Sequence, residues 1–138
     1  MKNLLFVLLM GAMIGFSACG DDETPTAPDY VINIVSPTTD DKNVNDDITL
    51  NVNVTDSNGG TVHHVNVRIY NKADNTDVLY NGPSEAHVHE EDGDFTLTDN
   101  IRLEVDAHSD WIMEVKAWGH EAGAAEKVQS LEFHVHPE

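Results

Sequence analysis

The chain has 138 residues, with 25 Asp or Glu against 7 Lys or Arg, and a formal charge of −18 with its eight histidines neutral. That length fits one small domain behind an export leader. The charge argues against nucleic acid and anionic lipid surfaces, whose phosphates would repel it, and favours cations. A lone cysteine, Cys19, rules out an internal disulfide framework or a cluster of thiolate metal ligands.

Residues 4–16 form an apolar run behind Lys2. The run has the length of a secretory signal and is too short to cross a bilayer as a lasting helix, and Ser17-Ala18 supplies the small residues a signal peptidase needs. The stretch Phe16-Ser17-Ala18-Cys19 resembles a bacterial lipoprotein lipobox, with Phe16 where an aliphatic residue is usual. The resemblance implies removal of residues 1–18 as a signal peptide and acylation of Cys19. The acyl chains would anchor the protein in a membrane at roughly 0.8 kcal/mol per buried CH₂.

Residues 20–29 carry two prolines and no apolar period, so residues 19–29 read as an acylated cysteine followed by an extended acidic tether of about 30 Å. The start Cys19-Gly20-Asp21-Asp22-Glu23 resembles the acidic export signal of Bacteroidetes surface lipoproteins. It implies an outer membrane lipoprotein exposed at the cell surface.

From Tyr30 the period is two and β-branched residues dominate the apolar positions, which predicts strands over a domain spanning residues 30–138. Residues 30–35 form the first, stopped by Ser36-Pro37. Ile48, Leu50, Val52 and Val54 alternate with polar residues in the second. After the turn at residues 56–60 comes a third, with Val65, Val67 and Ile69 on one face and His64, Asn66, Arg68 and Tyr70 on the other. Residues 77–80 add a short edge strand.

Asp92-Gly93 predicts a hairpin turn that sets Val88 opposite Leu97, His89 opposite Thr96 and His87 opposite Thr98. Ile101, Leu103 and Val105 continue the inward parity. In the sixth strand Trp111, Met113, Val115 and Ala117 alternate with Ile112, Glu114, Lys116 and Trp118. In the last, Leu131, Phe133 and Val135 face in while Glu132, His134 and His136 face out. Val128 sits on the other parity, which predicts a bulge near Gln129 or Ser130.

About seven short strands at this spacing predict an all-β, antiparallel β-sandwich with one shared core. The pattern over residues 30–135 resembles an immunoglobulin-like or fibronectin type III-like domain, without a Cys-Trp-Cys signature. The whole chain resembles small Bacteroidetes lipoproteins that carry a single histidine-rich immunoglobulin-like domain. No activity is assigned to those, so the resemblance implies none.

The chemistry lies in the histidines. His87-Val88-His89 and His134-Val135-His136 are His-x-His pairs, and on a strand residues i and i+2 share a face about 6.6 Å apart, near enough to converge on one ion. Alternating strand directions put His64, His87, His89 and His120 at one end of the sandwich, with Glu90, Glu91 and Asp92 nearby, and this is the first-choice metal site. His108, His134 and His136 gather at the other end as the second choice. His63 shares the parity of Val65 and is expected to be a core histidine rather than a ligand.

Neutral imidazoles suit Zn or Cu, and would release the ion as pH falls through about 6.5. Ca is the weaker candidate, at the acidic turns Asp40-Asp41, Asn45-Asp46-Asp47 and Asp56-Ser57-Asn58. Trp118, turned outward, is a candidate platform for protein or glycan, the basis of an alternative reading as an adhesion or structural module. Nucleophile elbows, phosphate-binding glycine loops and His-Glu-x-x-His helices do not occur, so the expectation is a binding module and not an enzyme.

Overall fold

A computed structural model describes residues 26–90, 93–120 and 126–138, without the side chains of His89 and Glu90. The leader, Cys19 and most of the tether lie outside the described residues, as do Glu91 and Asp92 of the predicted turn.

Alternation becomes strand wherever the sequence sustains it. The elements are β1 (Tyr30–Ser36), β2 (Lys42–Asn43), β3 (Asp47–Asp56), β4 (Val62–Asn71), β5 (Val78–Gly82), β6 (His87–Glu90), β7 (Asp94–Arg102), β8 (Ser109–Trp118) and β9 (Glu126–His136). They form a three-stranded sheet, β1-β3-β7, and a six-stranded sheet, β2-β9-β8-β4-β5, with β6 paired to β4. Apart from the short parallel pair of β2 with β9, every pairing is antiparallel. Chain order maps onto an A-B-E sheet facing a C-F-G sheet, the arrangement of immunoglobulin-like sandwiches.

The two inner faces supply the core. Leu50, Val52 and Val54 of β3 pack with Val65, Val67 and Ile69 of β4, Trp111, Met113, Val115 and Ala117 of β8, and Phe133 and Val135 of β9, all buried. Each such aliphatic or aromatic side chain contributes about 1.5–3 kcal/mol on leaving water. Trp111 keeps its polar edge satisfied, because Nε1–H donates to Ser109 Oγ at 2.8 Å. Across the edges of the two sheets, Tyr80 Oη–H of β5 donates to Asp99 Oδ2 of β7 at 3.1 Å.

Two expectations are corrected. Among the described residues β6 does not pair with β7: β6 lies beside β4, whereas β7 pairs with β3 so that Leu97 faces Val52 and Phe95 faces Val54. Parity misled here because Val88 and Leu97 both point at the core whether they are neighbours in one sheet or belong to opposite sheets. Gly93 does adopt a positive φ of 82°, but at a crossing from one sheet to the other, where a Cβ would lie 2.9 Å from the Gly60 carbonyl oxygen. Nor does β9 carry a bulge. Its register with β8 runs unbroken from Trp118 opposite Glu126 to Ser109 opposite Val135, and Val128 is simply exposed, opposite Lys116.

Candidate metal centres

At one end of the six-stranded sheet three strand termini meet. β4 begins with Val62, His63 and His64; β6 begins at His87; and His120 follows β8 after Gly119. The pairing of β4 with β6 sets Val62 opposite Glu90 but His64 opposite His87, so three steps on β6 answer two on β4. Such a bulge re-aims side chains. Both Val62 and Val65 are buried, so the inward positions of β4 lie three residues apart here instead of two.

His63 and His64 therefore both leave the core, half-buried. This corrects the expectation that His63 is a core histidine: one ring nitrogen from each of His63, His87 and His120 lies within 4.8 Å of the others. The His87 and His120 Nε2 atoms are 3.2 Å apart, close to the spacing of about 3.3 Å between two nitrogens on a tetrahedral ion with Zn–N bonds of 2.0–2.1 Å. The His63 and His120 ring centres are 4.2 Å apart.

His64, the expected ligand, stands behind this trio. Its ring stacks on Trp118 (5.1 Å, 13°), the residue opposite it on β8, and on His87 (4.8 Å, 27°). Its Nδ1 is buried with no hydrogen-bond partner among the described residues. His64 thus lies against Trp118, with Lys116 Nζ 5.6 Å from the indole ring, and Trp118 also lines an open groove with Asn66, Arg68, Ala86, Glu114 and Glu126. The His89 side chain lies outside the described residues.

The second trio forms as the sequence predicts. Ligand nitrogens of His108, His134 and His136 fall within 4.8 Å of one another. This group stands at the far end of β8, where Asp110, opposite His134, lies about 27 Å at ~3.4 Å per residue from Trp118, opposite His64. His134 sits directly across from Asp110 in the β8–β9 ladder, and its Nδ1 is 2.7 Å from Asp110 Oδ1. His136 Nε2 is 3.1 Å from Asp41 Oδ2.

The hydrogen bond from His134 holds the Asp110 carboxyl below its ordinary range; a smaller desolvation opposes this, and the charges of His134 and Lys72 add to it. His108 has φ +58°, a left-handed conformation uncommon for a residue with a side chain, and its amide donates to the Val135 carbonyl at 2.7 Å. A side chain held there costs on the order of 1–3 kcal/mol, and such strain clusters at functional sites.

No protein-family model matches this chain, and no curated protein is a match.

The acidic turns use their carboxylates locally. Asp40 Oδ2 accepts from the Thr38 hydroxyl, Asp46 Oδ2 from the Asn43 amide, and Asp56 Oδ1 from the amides of Asp29 and Asn58. These are turn and cap contacts of the kind that favour Asp at such positions. Sequence reasoning missed Asp110 and Asp41 as partners of histidine. Asp110 carried a signal, since outward alternation on adjacent strands puts it on the same face as His134. Asp41, in a loop far along the chain, carried none.

Proposed function

We propose that the chain is a lipid-anchored, non-catalytic binding module of the cell envelope that captures a divalent transition metal ion, Zn or Cu, through His63, His87 and His120. One observation supports it above the others: three imidazoles from three separate strand ends present ring nitrogens within 4.8 Å of one another. Three neutral imidazoles form a donor set that suits these ions, and three protein ligands leave a coordination position open, as an exchangeable site requires. The acidic surface favours approach of a cation. Residues 1–23 carry the pattern of export and lipid attachment, which would hold the module at the outer membrane, facing the medium.

The test is calorimetric titration of the full chain, kept in mild detergent and free of any histidine tag, with Zn²⁺, Cu²⁺ and Ca²⁺. The expected result is saturable binding of Zn²⁺ and Cu²⁺, with one ion per chain lost in the His87→Ala/His120→Ala variant. Heats that never saturate, or a variant that keeps the full stoichiometry, would end the reading.

A further inference from the structure

In the trio His108, His134 and His136, two rings each bring a nitrogen close to a carboxylate. A carboxylate can only accept, so the close nitrogens of both rings must carry the proton: His134 Nδ1–H donates to Asp110 and His136 Nε2–H donates to Asp41. In a neutral imidazole this leaves the opposite nitrogen as a lone pair. A carboxylate behind the ring is the usual means of fixing the tautomer and raising the basicity of a metal-ligating histidine. Here the chain presents two such pairs beside a third imidazole, with His108 held in a left-handed conformation against Val135.

We propose that this is a second metal centre. It takes a divalent transition ion through Nε2 of His134, Nδ1 of His136 and the ring of His108, and acts as a clamp rather than a point of capture. Its three ligands and two carboxylates come from three segments: the loop before β2 (Asp41), the turn before β8 together with its first residues (His108, Asp110), and the end of β9 (His134, His136). Backbone bonds lace these segments to the residues beside them, from His108 N to Val135 O, from Val44 N just after β2 to His136 O, and from Asn45 N to Leu103 O just after β7. An ion here would couple the opening of all three. The first centre draws on the beginnings of β4 and β6 and the residues after β8, and this proposal stands without it.

The experiment counts zinc per chain by native mass spectrometry and follows amide exchange and long-range proton–nitrogen spectra of the imidazoles, using the full chain without a histidine tag. Two zinc ions per chain are expected, with zinc-dependent protection of the Val44 and His108 amides and a zinc-induced shift at Nε2 of His134 while Nδ1 keeps its proton. His134→Ala/His136→Ala should hold one ion and lose that protection. His87→Ala/His120→Ala should also hold one ion but keep the protection.

Asp110→Asn leaves every ligand nitrogen in place, and should weaken this site alone by about 10–100-fold. It decides the matter if the double variant fails to fold. Zinc-independent exchange at Val44 and His108, or a zinc shift at Nδ1 of His134, would overturn the second centre. A single zinc accompanied by the expected protection would uphold it and overturn only the first.

Discussion

Where β4 begins, His64 lies flat between Trp118 and His87, and the rings of the neighbouring trio touch one another; where β9 ends, His134 and His136 are held by carboxylates and His108 by a left-handed backbone. Stacking fixes the plane of a ring but is indifferent to which nitrogen carries the proton. A hydrogen bond to a carboxylate fixes both. The same residue type, placed on one sheet, is therefore prepared differently at its two ends. At one end stacking orients the His64 ring, whose Nδ1 has no hydrogen-bond partner among the described residues; at the other the carboxylates also place the protons of His134 and His136.

The sharpest way to break this comparison is to separate His63 from His64. Because His63 supplies a nitrogen to the trio and His64 only stacks behind it, His63→Ala should lower zinc affinity at that end by more than about 100-fold, beyond the range for loss of an outer partner of a ligand. His64→Ala should cost about tenfold or less. Competition against a chelating dye reads both. The opposite ranking would show that His64 is the ligand and that the break in β4 alternation does not aim His63 at the ion.

A smaller effect probes what keeps the two ends a fixed distance apart from the facing sheet. Tyr80 Oη–H bridges the sheets to Asp99, and desolvation first, then the Asp99 hydrogen bond and charge, push its phenol up to about 12. Gly82 leaves room for the ring, since a Cβ there would lie 2.5 Å from Tyr80 Oη. A raised phenol favours the neutral form in the folded protein. Its stabilisation is therefore complete below pH 10, the unfolded value, and is lost as pH rises through about 12. Tyr80→Phe should cost about 1 kcal/mol at neutral pH. In urea unfolding it should also remove the part of the stability loss that falls between pH 10 and 12, with zinc binding at both ends unchanged. A variant that alters only one centre would show that Tyr80 serves that centre and not the pairing of the sheets.

How far the sequence revealed this depends on the length of each alternating run. Leu50-Val52-Val54 and Trp111-Met113-Val115-Ala117 each face inward as their two-residue period requires, and the grouping of His108 with His134 and His136 followed from strand direction alone. Legibility ended where alternation was interrupted. His63 was misassigned because the inward positions of β4 step from Val65 to Val62, three residues instead of two, and no single residue in His63-His64-Val65 announces that. The expected β6–β7 pairing failed because inward parity does not say which sheet a strand joins; that choice is made by pairing with β4 and β3, far away in the chain. The carboxylate of Asp41 reaches His136 across a still wider separation, 95 residues. Such contacts belong to the assembled sandwich and leave no local trace.

The smallest expected effect tests the strand that joins the two ends. β9 starts opposite Trp118 beside the first centre and finishes with His134 and His136 in the second, so an unbroken register fixes their separation. Val128 reports on that register. With a bulge after it, the residue could turn toward the core; in the continuous strand it faces solvent, 46% exposed, opposite Lys116. Val128→Thr keeps the β-branch and adds a hydroxyl that water can satisfy, so stability should change by no more than about 0.5 kcal/mol. A loss above about 1 kcal/mol on denaturant unfolding would mean that the hydroxyl is being buried. The parity of β9 would then have to change between Val128 and Leu131, and the spacing assigned to the two histidine trios would change with it.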